Sequence, residues 1–200
     1  LPVLPIQYID YAHWQRQWLQ GDELAKQIAY WQQKLQGLET LNLATDYTRP
    51  SIQTFNGATI ELGLDAKMTQ QLNQLSQNQG TTLFMTLLTS FYTLLHRYTG
   101  QSDICVGTPI AGRTQVETES LIGFFVNTLA LRTDIDGTLS FENNLQRVKA
   151  TTLDAYSHQE LPFEKVVDVV STERNFNHSP LFQVVFILQN KIGRASCRER

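Results

Sequence analysis

Residues 82–107, with the sequence TLFMTLLTSFYTLLHRYTGQSDICVG, contain the two elements that decide the fold. Thr81 or Thr82 can cap a helix that Gly100 should end. The apolar side chains of this helix lie nearly all round its axis, which predicts a helix buried between layers rather than one on the surface. The short apolar run at 103–107 predicts a buried strand directly after it.

Helices and strands continue to alternate after residue 107. The predicted strands cover residues 124–131 and 184–188, and the predicted helices cover 141–157 and 163–170. Ser140 can cap the first of these helices. Pro162 suits the first turn of the second, where no backbone donor is needed. The expected fold class is therefore α/β, a layered mixed sheet with flanking helices.

Three helices and one strand are predicted before residue 82. The helices cover residues 6–19, 22–37 and 66–78, and strict alternation predicts the strand at 58–62. Asp22 and Asp65 can cap the second and third helices, and Gly80 can end the third.

The composition is that of a globular, core-forming protein. Of 200 residues, 42% are hydrophobic and 18% are charged, which excludes a disordered chain. Residues 1–190 carry a net charge of −6, because the last ten positions hold four of the 16 basic residues and one of the 19 acidic ones. A mildly acidic body without a basic cluster argues against nucleic acid and anionic membranes as partners. No apolar run is long enough to span a membrane, and two cysteines are too few for a disulfide framework or a Cys-based zinc site.

Residues 191–200, KIGRASCRER, differ abruptly from the strand pattern before them. They have no apolar face, which predicts a disordered end. They also resemble the translation of a common sequencing adapter. We therefore expect these ten residues, Cys197 included, to be an artefact without functional weight. The chain begins at Leu1 rather than Met, and we expect it to be an internal piece of a larger protein.

General catalytic signatures are absent from the sequence. It contains no G-x-G-x-x-G, no G-x-x-x-x-G-K, no G-x-S-x-G and no H-E-x-x-H. The four histidines, His13, His96, His158 and His178, lie far apart, and the first two are expected to be structural. Physical reasoning from the residues alone therefore stops at an α/β domain of unknown activity.

Four short segments resemble the motifs of the condensation domains of nonribosomal peptide synthetases, in the order that this family has them. They are YIDYAHWQ at 8–15, IGFFVNTLALR at 122–132, HQELPFE at 158–164 and NHSPLFQV at 177–184. Two departures are visible. Glu160 replaces the common Asp of the third motif, and Asn175–Asn177 blur the arginine-rich lead of the fourth.

The resemblance implies a chloramphenicol acetyltransferase-like fold of two lobes with a tunnel between them. Residues 1–190 are expected to be the connection and the C-terminal lobe of a partial condensation domain. The family's HHxxxDG motif belongs upstream of Tyr8, and no adjacent pair of histidines occurs in the 200 residues. We therefore expect no catalytic residue in this fragment and no activity of the fragment alone.

The resemblance also implies roles for individual residues. Asn127 would line the tunnel near the thioester, or equally satisfy backbone groups at a strand end. Arg113 would pair with the Asp of HHxxxDG across the lobes, or lie on the surface. Gly123 would permit a close backbone approach or a positive φ, or be an ordinary loop glycine. His158 suits a helix C-terminal cap better than a base. The other motif residues are expected to be structural: Tyr8, Asp10, Tyr11, Trp14, Arg132, Gln159, Pro162, Phe163, Glu164, Pro180 and Leu181.

The implied activity is amide-bond formation between a thioester donor and an amine acceptor, each carried by a peptidyl carrier protein. The phosphopantetheine belongs to those carriers, so we expect no directly bound cofactor and no metal. Upstream and downstream carriers and an adenylation domain of the same synthetase are the expected partners, in the cytoplasm. Three alternatives stay open: an epimerisation relative, a heterocyclisation relative, and a non-catalytic docking module for carrier proteins.

Overall fold

The computed structural model describes residues 4–48, 56–170 and 181–189. The predictions for Pro180 and the rest of the first half of the fourth motif, residues 177–180, and for residues 191–200 fall outside this part of the chain. The secondary structure runs α1 (Tyr8–Trp18), α2 (Gly21–Leu35), α3 (Ala66–Asn78), α4 (Leu83–Thr99), β1 (Asp103–Ile110), a single 3₁₀ turn (Val116–Thr118), β2 (Asn127–Asp134), α5 (Phe141–Ser157) and α6 (Phe163–Val170).

The sheet is built on β1 and β2, which pair antiparallel from Asp103 opposite Asp134 to Ile110 opposite Asn127. A third segment joins the other edge of β1 in parallel. Gly107 N donates to Val184 O at 3.0 Å and Phe186 N donates to Gly107 O at 2.9 Å. Gly107 is needed there because a Cβ would overlap the Phe182 ring. The sheet is thus mixed and flanked by helices, as the sequence predicts.

The predicted helix caps inside the described residues are largely confirmed. The Asp65 carboxylate accepts from Met68 N at 2.7 Å, Thr82 Oγ1 from Met85 N at 3.3 Å and Ser140 Oγ from Asn143 N at 3.3 Å. Gly100 ends α4 with φ +72°, a conformation that glycine adopts without strain. Asp22 is the exception, because α2 begins one residue earlier and Gln20 is its N-cap without a side-chain bond.

One strand prediction is wrong and two are right only in part. Residues 56–65 form no strand, and all of their side chains are exposed. The strand predicted at 124–131 begins only at Asn127 and continues to Asp134. The strand predicted at 184–188 is reduced to one bridge at Val185, which is 51% exposed.

Helix α4 is buried on one side rather than all round. Leu88 and Tyr92 are fully buried, whereas Leu94 is 53% exposed and Tyr98 is 74% exposed. Thr89 lies on the buried face because its hydroxyl donates to Met85 O at 2.7 Å, which satisfies it without water. Among the described helices, none is long and apolar enough to cross a membrane.

Candidate functional site

Three of the four motif segments meet around one cleft of about 370 Å³. Helix α1, the loop before β2 and the turn between α5 and α6 each contribute part of its wall. The lining residues are Tyr8, Tyr11, Gln15, Gly112, Phe124, Phe125, Val126, Asn127, Thr128, Gln159, Glu160, Pro162, Phe163 and Glu164. The first motif lies more than 100 residues before the other two in the sequence, so the fold brings the three motifs together.

The contact between α1 and the loop at 121–126 forms one side of the cleft. Tyr8 Oη donates to Phe124 O at 2.9 Å, and the Tyr8 ring meets Phe125 edge-on with centroids 5.1 Å apart. A Cβ on Gly123 would lie closer than 3.0 Å to three atoms of the Tyr8 ring. Gly123 therefore lies where the Tyr8 ring approaches the backbone closely, and its contribution to the site stays a prediction. Asp10 begins the helix by accepting from Gln7 N at 2.8 Å.

Arg113 is held against the same loop. Its guanidinium lies 4.1 Å from the centroid of the Phe125 ring and donates to Thr118 O. None of the ion pairs among the described residues involves Arg113. The preceding Gly112 has φ +62°, and a Cβ there would overlap the Phe125 carbonyl. From the sequence, neither Phe125 nor Gly112 is predicted to be a site residue. The position of Gly112 in a turn directly before Arg113 is a signal that could have identified it.

Asn127 uses its whole side-chain amide on backbone groups. Its Nδ2 donates to Gln159 O and Leu161 O, both at 2.9 Å. Its Oδ1 accepts from Thr128 N at 2.9 Å and Phe163 N at 3.0 Å. Asn127 thus fixes the turn between α5 and α6 against the start of β2, while also lining the cleft.

His158 lies at the C-cap of α5 and outside the lining of the cleft. Its Nδ1 is 2.8 Å from Asp154 O, and its ring stacks on Tyr30 with centroids 3.7 Å apart. The His158 carbonyl accepts from Trp31 Nε1 at 3.0 Å. This geometry agrees with the cap that the sequence predicts and links α5 to α2.

Arg132 lies at the far end of β2 from the cleft. Its Nε and Nη2 donate to the two carboxylate oxygens of Asp103 at 2.8 and 2.6 Å, and its Nη1 donates to Lys34 O and Gln36 O. The hydrogen bond to Asp103 is the main reason that the pKa of Arg132 is raised. Arg132 therefore ties the C-terminal end of α2 to the sheet.

The remaining motif residues are mostly packing groups. Trp14 stacks on Trp18 with centroids 5.7 Å apart, Phe163 packs against Phe182 at 5.5 Å, and Leu181 is 4% exposed. Gln159 Nε2 donates to Tyr156 O at 2.8 Å. Pro162 precedes the first residue of α6, and Glu164 lies exposed in the first turn of that helix.

The cleft is acidic and aromatic. Glu160 and Glu164 line it, and its described lining includes no lysine or arginine. Tyr11 is 8% exposed, and burial raises its pKa, with a further contribution from the charge of Glu160. Glu160 and Tyr11 therefore line the same cleft, a juxtaposition that the sequence does not predict.

The comparisons with known proteins give the family. The model of the family described as Condensation domain matches residues 1–199, so this chain belongs to the condensation-domain family. The chain is 56% identical over 191 residues to a protein of the linear gramicidin synthase of Brevibacillus parabrevis. That match covers 95% of this chain and 2% of the relative, so the chain spans only a small part of that protein.

Solved structures support the same conclusion. The X-domain from teicoplanin biosynthesis superposes with a TM-score of 0.83 at 26% identity, over 92% of this chain and 42% of that one. A four-domain nonribosomal peptide synthetase superposes with a TM-score of 0.79 at 28% identity, over 86% of this chain and 13% of that one. The predicted family and fold class are therefore confirmed.

Proposed function

We propose that this chain is the C-terminal lobe of a condensation domain that forms an amide bond in a nonribosomal peptide synthetase. The amine of the acceptor attacks the thioester carbonyl of the donor, and the tetrahedral intermediate collapses to an amide with release of the donor thiol. The observation that carries this proposal is the convergence of three family motifs on one cleft.

The lobe contributes orientation rather than the reacting histidine. Holding two tethered reactants in register can lower the activation barrier by about 7–11 kcal/mol. A general acid or base raises the rate about 10²–10⁴-fold, which corresponds to roughly 3–5 kcal/mol of the same barrier. Asn127 serves this purpose by fixing the turn that carries Glu160, since it binds the carbonyls on both sides of that residue. Gly123 serves it by letting the aromatic loop close against Tyr8.

The partners follow from the same proposal. Two peptidyl carrier proteins would present donor and acceptor on phosphopantetheine arms, beside an adenylation domain of the same cytoplasmic synthetase. Arg113 would pair with a carboxylate of the upstream lobe while it keeps its contact with Phe125. Residues 191–200 would be foreign to the domain, and resequencing the locus by an adapter-free method would show a different continuation.

The test is an assay of the condensation domain that contains this chain. The domain is mixed with donor- and acceptor-loaded carrier proteins, and the acceptor carrier is followed by intact mass. The proposal expects a dipeptidyl acceptor carrier and a free donor thiol. A product one water lighter than the dipeptidyl carrier would indicate heterocyclisation. If no amide forms, chiral chromatography of the amino acid hydrolysed from the donor carrier would reveal epimerisation. Carrier binding in a pull-down, without either reaction, would indicate a docking module.

A further inference from the structure

Glu160 lies half-buried in the cleft wall, and none of the ion pairs among the described residues involves it. In the part of the chain that the structure describes, no cation lies within ion-pair distance of Glu160 or Glu164. Burial of a carboxylate without a cation costs free energy, so such a group is expected to be paired when the protein is at work. A cationic group that enters the cleft would supply such a partner.

The Tyr11 hydroxyl is a second unpartnered group at the same place. Tyr11 is only 8% exposed, and none of the hydrogen bonds among the described residues uses its hydroxyl. It lines the cleft with Glu160, whose charge acts on it. Because a hydroxyl oxygen accepts hydrogen bonds, it can bind an N–H group that is already drawn towards the carboxylate.

Aromatic rings form the rest of the wall. Tyr8, Tyr11, Phe124, Phe125 and Phe163 all line the cleft. The faces of such rings attract cations, and the Phe125 ring already holds the guanidinium of Arg113 at 4.1 Å. A cleft lined by a carboxylate and aromatic rings is suited to an alkylammonium group, since the rings can cover the alkyl part and the carboxylate can balance the charge.

We propose that the cleft is an ammonium subsite that takes the protonated α-amino group of the acceptor, with Glu160 as its counter-ion and Tyr11 Oη as a hydrogen-bond acceptor. The amine attacks the thioester only after it has released this proton to water. The inference rests on the proposed function for the identity of the ligand. Asn127 is the positioning residue, because it binds the carbonyls of Gln159 and Leu161 and so fixes the backbone of Glu160. The replacement of the family's common Asp by Glu160 lengthens the side chain that reaches the ligand.

Two isosteric ligands test the subsite directly. Alanyl-aminopantetheine is an amide analogue that carries the ammonium group, and isobutyryl-aminopantetheine has a methyl group in its place. Their dissociation constants for the condensation domain that contains this chain are measured by calorimetry at pH 7. We expect the alanyl compound to bind about ten- to a hundredfold more tightly, the range of a hydrogen-bonded charge.

The variants identify the residues. Glu160→Gln should remove most of this preference, Glu160→Asp should keep part of it, and Tyr11→Phe should reduce it less than Glu160→Gln does. Glu142→Gln, at an exposed position outside the cleft lining, removes the same charge and should leave the preference intact. An equal affinity of the wild-type domain for both compounds would overturn the proposal, as would an unchanged preference in Glu160→Gln.

The amide-forming assay separates this inference from the proposed function. If the wild-type domain forms no amide but prefers the alanyl compound through Glu160, the function fails and the subsite stands. If the domain forms the amide and Glu160→Gln leaves the acceptor KM unchanged, the subsite fails alone. The inference expects an acceptor KM raised about tenfold or more in Glu160→Gln, with the donor KM unchanged.

Discussion

The Tyr8 ring lies directly against the backbone of Gly123, so that a Cβ on Gly123 would come within 3.0 Å of three ring atoms. This contact joins helix α1, whose Tyr8 lines the cleft, to the loop before β2. The hydrogen bond from Tyr8 Oη to Phe124 O, one residue further on, holds the two segments in the same register.

Gly123→Ala should therefore displace the Tyr8 ring and open the cleft. Overpacking of this kind typically costs about 1–3 kcal/mol of unfolding free energy. The measurement is the urea midpoint of the condensation domain that contains this chain. Tyr8→Phe keeps the ring and loses only the hydrogen bond, so it should lower the free energy of unfolding by about 0.5–1.5 kcal/mol. The contact is refuted if Gly123→Ala is as stable as the wild type, or if adding Tyr8→Ala does not relieve its cost.

Asn127→Asp should destabilise the turn between α5 and α6 in a pH-dependent way. The substitution replaces an NH₂ donor by an oxygen that faces the carbonyls of Gln159 and Leu161. A carboxylate there is repelled, so its pKa rises and the protonated form is favoured. The variant should lose stability as the pH rises through about 4 to 7 relative to the wild type, and recover it on acidification.

Asn127→Ala is the control for this effect. It leaves the carbonyls of Gln159 and Leu161 unpaired at every pH. Each unpaired carbonyl that is buried should lower the free energy of unfolding by about 1–3 kcal/mol. The free energies of unfolding of both variants and the wild type, measured in urea at pH 5 and pH 7, test whether the loss of stability in Asn127→Asp depends on pH. A difference between Asn127→Asp and the wild type that is the same at both pH values would contradict the hydrogen-bond assignment.

Arg132→Lys should cost more than its conservative character suggests. Lysine cannot donate to both Asp103 oxygens while also reaching the carbonyls at the end of α2. The pair is partly exposed, with side-chain exposures of 19% and 38%, so the expected loss is about 1–3 kcal/mol rather than the full cost of a buried pair.

The matched control for Arg132 is Arg147, which forms a more exposed pair with Asp134 at 3.5 Å. Arg147→Lys should cost less than about 1 kcal/mol. Chemical denaturation of both variants checks the comparison. Equal losses would mean that Arg132 does not hold α2 to the sheet.

The protein should lose stability in strongly alkaline solution. Burial raises the pKa of the Cys105 thiol from 9.0 to about 12, and burial raises the pKa of Tyr30 from 10.0 to about 12. A raised pKa means that the unfolded chain releases its proton first. The folded state therefore keeps the full stability contribution of the protonated Cys105 thiol and Tyr30 hydroxyl below about pH 9. It loses that contribution as the pH rises from about 9 to 12.

Unfolding free energies at pH 8, 9, 10 and 11 test this, and Cys105→Ala should show a shallower decline. In a Cys197→Ser background, the native Cys105 thiol should also resist a thiol reagent at pH 8, since it is 4% exposed. Rapid labelling of the folded protein, or a stability that does not fall by pH 11, would show that the thiol is accessible.

The sequence predicts those features of the fold that local hydrogen bonds determine. Asp65, Thr82, Ser140 and Gly100 begin or end helices through bonds or dihedral angles within four residues of themselves, so no distant partner is needed. The prediction that Asp22 caps α2 is wrong because the helix begins at Gly21, with Gln20 as its N-cap.

The strands were harder to predict because their partners are distant. The apolar run at 124–126 reads as the start of a strand, but Phe125 instead packs in a small cluster with Tyr11 and Leu121. The alternation at 58–62 has the same local pattern as a strand, yet its side chains are exposed.

The candidate site was predictable only as a set of motifs. Family resemblance pointed to Asn127, Gly123 and Arg113, and each lies on or beside the cleft. Two features depend on packing between segments that are more than 30 residues apart: the hydrogen bonds of Asn127 to the α5–α6 turn, and the placement of Glu160 and Tyr11 in one cleft. No periodicity in one sequence reports such a contact.

The central claim is that this lobe supplies one wall of a two-lobed amide-forming chamber, and a single mass measurement tests it most directly. Residues 1–190, alone and in one chain with an upstream lobe that carries HHxxxDG, are each given donor- and acceptor-loaded carrier proteins. The intact mass of the acceptor carrier is then recorded over time. The account predicts dipeptidyl carrier with the two-lobed chain and only the uncatalysed background with residues 1–190. Product from residues 1–190 above that background, or none from the two-lobed chain, would contradict it.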